Sequence, residues 1–275
     1  MSFESQGYPK LMHFESQEPS NLMLKAFAKS KKHSVVISGN EGVGKSHLAH
    51  KYAEYLGISR DFVIIRPTME DIQNTLEELV EINTPTCICI ENLDNGVIGV
   101  SYALLKFVEE PKENVYIVIT CRNINKLPDT ILSRCVSTHI EPPNHQDIIL
   151  YCKTYYSSDY ARLKDHILFS CISSFSDADI IMKLDADKLA YFDSIKNLLN
   201  FNDSVSNLSY KFSHYSDKSK LPFQILLKYI MKVSGDNVIN WYAINCSDDI
   251  LLGRIAEWAA INNFIFDCKN YKLKI

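Results

Sequence analysis

The run Gly39-Asn40-Glu41-Gly42-Val43-Gly44-Lys45-Ser46 has the spacing G-x-x-x-x-G-K-[ST], which is suited to holding the phosphates of a nucleoside triphosphate. Glycines let successive backbone N–H groups turn toward one anion, and the helix that follows adds its positive N-terminal end. Lys45 would reach the β- and γ-phosphates, the Ser46 hydroxyl would take a place on Mg²⁺, and His47 continues the phosphate-side turn. Such a site needs a carboxylate at the end of a neighbouring strand. Glu91 and Asn92 follow the apolar run 86–90 and occupy that position. Glu91 can ligate a hydrated Mg²⁺, but the Asn92 carboxamide has no useful basicity near neutral pH and cannot take a proton from water. Asp94, two residues on, reads as the cap of the next helix. The pattern therefore predicts binding of a nucleoside triphosphate with Mg²⁺ and puts hydrolysis in doubt.

Elements must place those residues. Short β-branched, apolar runs predict strands over 34–38, 62–65, 86–90, 115–119 and 136–140. Helical spacing fills the intervals 45–56, 69–82 and about 100–109. Apolar strands alternating with helices give an α/β fold whose parallel sheet is covered on both faces. Pro142 and Pro143 close this part, and the pattern beyond is helical, over 145–156, 159–173, 176–187, 190–201, 204–214, 221–233 and 248–264. The cluster Gly235-Asp236-Asn237 reads as punctuation. A division at 1–142, 143–187 and 188–275 follows.

Composition narrows the classes. At 275 residues with 46% hydrophobic and 23% charged content, the chain can bury a substantial core and is not a disordered tail. A net charge of −4 argues against a strongly basic nucleic-acid binder. No apolar run approaches the length of a bilayer span, and no basic segment leads an apolar core at the N-terminus, so a cytoplasmic protein without membrane attachment is expected. The eight cysteines, at 87, 89, 121, 135, 152, 171, 246 and 268, include no C-x-x-C pair, so buried thiols rather than zinc are expected. Lys25, Lys29, Lys31, Lys32 and His33 read as a solvated helix face, with a nucleotide-edge or DNA-backbone contact as the alternative, and Tyr151, Tyr155, Tyr156 and Tyr160 as packing residues rather than a stacking platform for bases.

The middle of the chain carries a resemblance. Ser101-Tyr-Ala-Leu-Leu-Lys-Phe-Val-Glu-Glu-Pro111, followed by Asn125-Lys-Leu-Pro-Asp-Thr-Ile-Leu-Ser-Arg-Cys135, resembles the clamp-loader branch of the AAA+ ATPases, above all the bacterial delta-prime subunit of the replicative polymerase. The resemblance spans about residues 20–145. It implies a P-loop AAA+ domain over 1–142, a small helical lid over 143–187 and an all-α oligomerisation collar over 188–275. It implies that Arg134, in the family's S-R-C motif, projects into a neighbouring subunit's ATP site as a trans-acting finger; the local alternative is a surface pair with Asp129. It also implies a polar sensor at the end of the 115–119 strand, where Thr120, Arg122 and Asn123 are the candidates. The partners implied are the other subunits of a hetero-pentamer, a sliding clamp and primer–template DNA. The second-sensor arginine has no counterpart in Ser173-Ser174-Phe175-Ser176-Asp177-Ala178, and the family's zinc-binding cysteines are missing. A self-sufficient AAA+ ATPase such as a helicase loader, and a scaffold with a vestigial loop, are the competing readings.

Overall fold

The computed structural model describes residues 14–58, 61–81, 83–96, 98–186, 189, 223–251 and 257–272. Two compact units emerge, one of Met1–Ile149 with Ser174–Ser176 and one of Leu150–Ser173 with Asp177–Ile275.

The first unit is built on five parallel strands, β1 (Ser34–Gly39), β2 (Phe62–Ile65), β3 (Thr86–Ile90), β4 (Val115–Cys121) and β5 (Val136–Ile140), in the order β2-β3-β4-β1-β5. Side chains alternate across the sheet and both faces are buried. Val35, Ile37, Cys87, Cys89, Tyr116 and Val118 enter one core with Leu24, Leu48, Ala49 and Tyr52. Val36, Ile88, Ile90, Ile117, Ile119 and Cys121 enter the other with Ile72, Leu104 and Ile131. The first face is covered by α1 (Glu18–Lys29) and α2 (Lys45–Tyr55), the second by α3 (Met69–Glu81), α4 (Ile98–Glu109) and the short α5 (Asp129–Leu132). Each aliphatic side chain so enclosed contributes about 1.5–3 kcal/mol. The strands lie where the sequence puts them, with two extensions. The β1 strand runs on through Gly39 because it still pairs with Ile140, and β4 runs on through Cys121, where Thr120 and Cys121 pair with Ile37 and Ser38.

Beyond β5 the chain is helical: α6 (His145–Tyr155), α7 (Ser157–Leu163), α8 (Phe175–Met182), α9 (Phe223–Ser234), α10 (Asn237–Leu251) and α11 (Glu257–Lys272). Three expected helices are corrected, the first being 176–187, which ends at Met182 as α8. The span 159–173 breaks into α7 and a 3-10 turn, Ile167–Cys171, because His166 is extended and its ring accepts the Leu168 N–H at 3.2 Å. The span 248–264 belongs to two helices, α10 and α11. Gly235, at φ 60, ends α9, and the Asp236 carboxylate accepts the Val238 N–H at 2.9 Å, starting a helix directly after the punctuation. The expected helices 190–201 and 204–214 lie outside the described residues.

In the second unit, α10 packs against both α9 and α11, and Leu227, Tyr229, Ile239, Ala243, Phe264 and Cys268 of these helices are buried. Among the described residues no helix is long and apolar enough to cross a membrane, and no three His, Cys, Asp or Glu side chains gather as a metal centre. None of the eight cysteines forms a disulfide, and all but Cys135 are buried.

Candidate functional site

The loop from Asn40 to Gly44 joins β1 to α2, the strand–loop–helix order that phosphate chemistry requires. Gly42 and Gly44 have φ of 73° and 98°, a region that costs other L-residues about 1–2 kcal/mol. Space forbids a side chain as well. A Cβ on Gly42 would lie 2.7 Å from Ser174 Oγ and 2.8 Å from Ser176 Cβ, and one on Gly44 would lie 2.6 Å from Gln17 Nε2. These neighbours brace the loop. Buried Gln17 donates to the Val43 carbonyl at 2.7 Å, the Phe175 N–H donates to the Gly42 carbonyl at 3.0 Å, and the Phe14 and Phe175 rings pack at 4.6 Å. The turn carrying Gln17 is itself held by buried Asp147, whose carboxylate accepts the Glu15 and Ser16 N–H groups at 2.9 and 3.0 Å.

Lys45 opens α2 and is 7% exposed; its ammonium donates to the Gly39 and Asn40 carbonyls at 2.9 and 2.8 Å. Burial lowers the lysine's pKa first, and the Arg122 cation second. The Ser46 hydroxyl donates to the Glu91 carboxylate. A hydroxyl and a carboxylate side by side at the foot of a glycine loop are the donor set of a hydrated divalent cation, so the residues present fit Mg²⁺ beside a triphosphate. Asn92 has left-handed backbone, φ 51° and ψ 51°, and its N–H donates to Thr120 Oγ1 at 3.0 Å. Asparagine is among the few residues that tolerate this conformation, which gives a backbone reason for the residue that the sequence reads only as a missing base.

At the end of β4 the three sensor candidates separate. Thr120 is 1% exposed and its hydroxyl oxygen accepts the Asn92 N–H at 3.0 Å. The Asn123 side chain accepts from the Asn125 N–H at 3.0 Å and shapes the following turn. Arg122 reaches the loop: its guanidinium lies 2.6 Å from the Glu41 carboxylate. Asp94 is not simply a helix cap. Its carboxylate accepts the backbone N–H groups of Arg122 and Asn123 at 3.1 Å and fixes the root of the Arg122 side chain.

Arg134 stands apart from this group. It lies between α5 and β5, with Nη1 donating to the Thr130 carbonyl at 2.8 Å and to Ser133 Oγ at 3.1 Å. Its carboxylate partner is Glu109 at 2.8 Å rather than Asp129, because the end of α4 packs beside α5. The register pairs Val35 with Val136 and Gly39 with Ile140, so Arg134 precedes the amino end of β5 while the loop sits at its carboxyl end. Four strand steps, roughly 13 Å, separate the two ends. Arg134 is not brought to its own phosphate loop.

The softer features are structural. His33 stacks on Tyr116 at 4.8 Å with Nδ1 2.8 Å from the Val115 carbonyl, and Lys25 lies over the Tyr55 ring at 5.5 Å. Within the second unit, Tyr151 and Tyr156 both donate to Asp179, at 2.6 and 2.8 Å.

Residues 68–144 match the sequence profile of the family described as DNA polymerase III, delta subunit. Similar proteins include the tau subunit of DNA polymerase III from Escherichia coli strain K12, 28% identical over 138 residues, which is 40% of this chain and 22% of that protein. The gamma subunit from Buchnera aphidicola subsp. Schizaphis graminum is 25% identical over 150 residues, 44% of this chain and 41% of that protein. The chain thus spans well under half the length of these curated relatives. Among solved structures, a gamma-subunit-related protein of DNA polymerase III from Thermotoga maritima shares the fold with a TM-score of 0.55 at 16% identity, covering 92% of this chain and 99% of that one.

Proposed function

We propose that the chain is a clamp-loader member of the AAA+ family, a delta-prime-type subunit of a DNA polymerase III loader, binding ATP statically and donating Arg134 to a neighbour's site. The observation that carries this reading is the separation of Arg134 from its own loop. An arginine at the amino end of β5 is of no use to phosphates gathered at the carboxyl end of β1. In this reading it acts across a subunit boundary, where a planar guanidinium would stabilise charge on a transferring phosphoryl group.

In this reading the N–H groups from Gly42 to Ser46 and the Lys45 ammonium hold the phosphates, Lys45 leaving the Gly39 and Asn40 carbonyls to do so. Ser46 and Glu91 hold Mg²⁺, which when bound neutralises charge on the β- and γ-phosphates. Asn92 orients but does not deprotonate water, so the chain's own site turns over slowly. Residues 143–187 serve as the lid and 188–275 as the collar of a hetero-pentamer, which loads a sliding clamp onto primer–template DNA in the cytoplasm.

The test pairs the chain with gamma/tau-type subunits and a sliding clamp from the same organism, and measures ATPase with and without primed DNA. The isolated chain hydrolyses ATP negligibly, while Arg134→Ala lowers turnover at the site it completes by roughly 10³-fold or more. Vigorous hydrolysis by the isolated monomer, or an assembly indifferent to Arg134→Ala, overturns the proposal.

A further inference from the structure

We propose that the turn carrying Lys31 and Lys32, with Lys29 on the last turn of α1, is a docking surface for the sugar–phosphate backbone of nucleic acid. In the proposed function DNA belongs to an assembled ring; this surface belongs to the single chain and needs neither nucleotide nor partner subunits. It lies at the amino end of β1, while the phosphate loop lies at the carboxyl end, roughly 17–20 Å away.

Charge is the first argument. The whole chain holds 33 acidic residues in 275, yet none falls between Glu18 and Glu41, where Lys25, Lys29, Lys31, Lys32 and His33 gather. The net charge of −4 therefore conceals a local excess of cations. Two of these groups are accounted for by packing, since Lys25 lies over the Tyr55 ring and His33 stacks on Tyr116. Lys29, Lys31 and Lys32 are exposed and have no carboxylate or ring partner among the described residues. Glu113 comes to the same edge through the chain entering β4, where its charge bears on Tyr116, and Lys112 adjoins it in the chain.

The backbone is the second argument. Helix α1 closes with the Lys31 N–H donating to the Ala28 carbonyl and the Lys32 N–H to the Phe27 carbonyl, both at 3.0 Å. That ending needs one left-handed residue, ordinarily glycine or asparagine, and here it is Lys31 at φ 50°. A lysine there strains the backbone and gains no contact within the chain, the mark of a side chain kept for an outside partner. The helix dipole favours a cation at Lys29 but requires none at the strained position. The roots are rigid, since the Tyr52 hydroxyl donates to the Lys32 carbonyl and the Ile117 N–H to the His33 carbonyl at 2.7 Å. The surroundings favour phosphates over a peptide. Peptides dock on a sheet edge or on apolar anchors, but β1 is an inner strand between β4 and β5, and the exposed Leu22 and Met23 lie toward the other end of α1. Phosphates need only fixed cations.

Fluorescence anisotropy of a short labelled DNA duplex, titrated with the full chain over a series of salt concentrations and without nucleotide, tests this. The wild-type chain should bind in the weak, sequence-independent range, with a Kd of roughly 10⁻⁴–10⁻⁶ M. The triple variant Lys29→Ala, Lys31→Ala, Lys32→Ala should bind roughly tenfold more weakly or worse at low salt, and flatten the slope of log K against log salt by about 2–3. Lys31→Gly removes one cation and relieves its own backbone, so it should lower the slope by about one while leaving urea stability equal to the wild type's or higher. Lys45→Ala, in the phosphate loop, and Lys164→Ala, in the second unit, should bind the duplex as the wild type does. A triple variant that binds like the wild type, a wild type that binds no duplex at low salt, an equal loss on Lys45→Ala, or polyglutamate competing as well as DNA at equal charge overturns the proposal. A triple variant that binds like the wild type leaves the ATP-site reading standing, because the loop plays no part in this contact.

Discussion

Gly42 and Gly57 share nearly the same backbone, at φ 73° and 77°, but not the same surroundings. A Cβ on Gly57 meets nothing within 4 Å, while one on Gly42 would sit 2.7 Å from Ser174 Oγ and 2.8 Å from Ser176 Cβ. Replacing each with alanine therefore separates two costs. Both variants incur the left-handed penalty of about 1–2 kcal/mol, partly offset by the stiffer unfolded chain. Only Gly42→Ala adds overpacking, about 1–3 kcal/mol, because the neighbours include the Ser176 Cβ, fixed to its own backbone, and not only hydroxyl ends that can turn away. We expect Gly57→Ala to cost about 1 kcal/mol and Gly42→Ala about 2–4 kcal/mol. The readout is urea unfolding followed by circular dichroism, taken as the difference between the two variants so that any non-two-state behaviour of a two-unit chain cancels to first order. Adding Ser174→Ala and Ser176→Gly to Gly42→Ala should recover the overpacking share and leave the backbone share. If Gly42→Ala is no worse than Gly57→Ala, the loop is not braced by residues 174–176 and the argument fails. Success carries a lesson about the motif: the fold requires Gly42 whether or not a phosphate ever arrives, so the glycine pattern alone does not certify catalysis.

Three further outcomes are expected. In the assembled complex, Asn92→Glu should raise ATP turnover at this chain's site by roughly 10²-fold, the usual worth of a positioned general base, while costing about 1 kcal/mol of stability for its left-handed backbone; an unchanged rate in single-turnover assays would mean that position 92 does not face the water. Asp147→Ala should cost about 2–4 kcal/mol by stranding the Glu15 and Ser16 N–H groups, and should loosen Gln17 from the loop, seen as faster hydrogen exchange at the Val43–Ser46 amides. Burial pushes the Cys87 and Cys121 thiols up to about 12, so between pH 9 and 12 the native state keeps protons that the unfolded chain has released, and their contribution to stability falls as pH rises through that window. At pH 9 both cysteines should resist iodoacetamide in the native chain and label fully in urea, by mass spectrometry; rapid native labelling would contradict their burial.

The sheet was legible because each strand is a short β-branched run, and burial on both faces asks for nothing subtler than apolar continuity. The loop was legible because its spacing is local. What escaped was non-local or depended on one side chain's hydrogen bond. Gln17 reaches Val43, and Glu109 reaches Arg134, across elements whose packing no local pattern announces. Asp94, in sequence a cap, serves backbone groups at the end of β4. In the helical part, the His166 and Asp236 side chains decide where turns start, and apolar spacing passes straight over them. Position 92 shows a different limit: the residue type suggested lost basicity, and only the backbone angle revealed a conformational demand for asparagine.

The first unit is also discontinuous, since Met1–Ile149 is completed by Ser174–Ser176. A ribosome working at about 5–20 residues per second emits the loop on the order of ten seconds before Phe175 follows. For that interval Phe175, which meets both the Gly42 carbonyl and the Phe14 ring, has not yet been made. An expression fragment stopped at residue 149 would carry the whole glycine motif and every described strand, yet would leave the loop without its brace from Phe175. Residue 176 is the earliest stop that closes it.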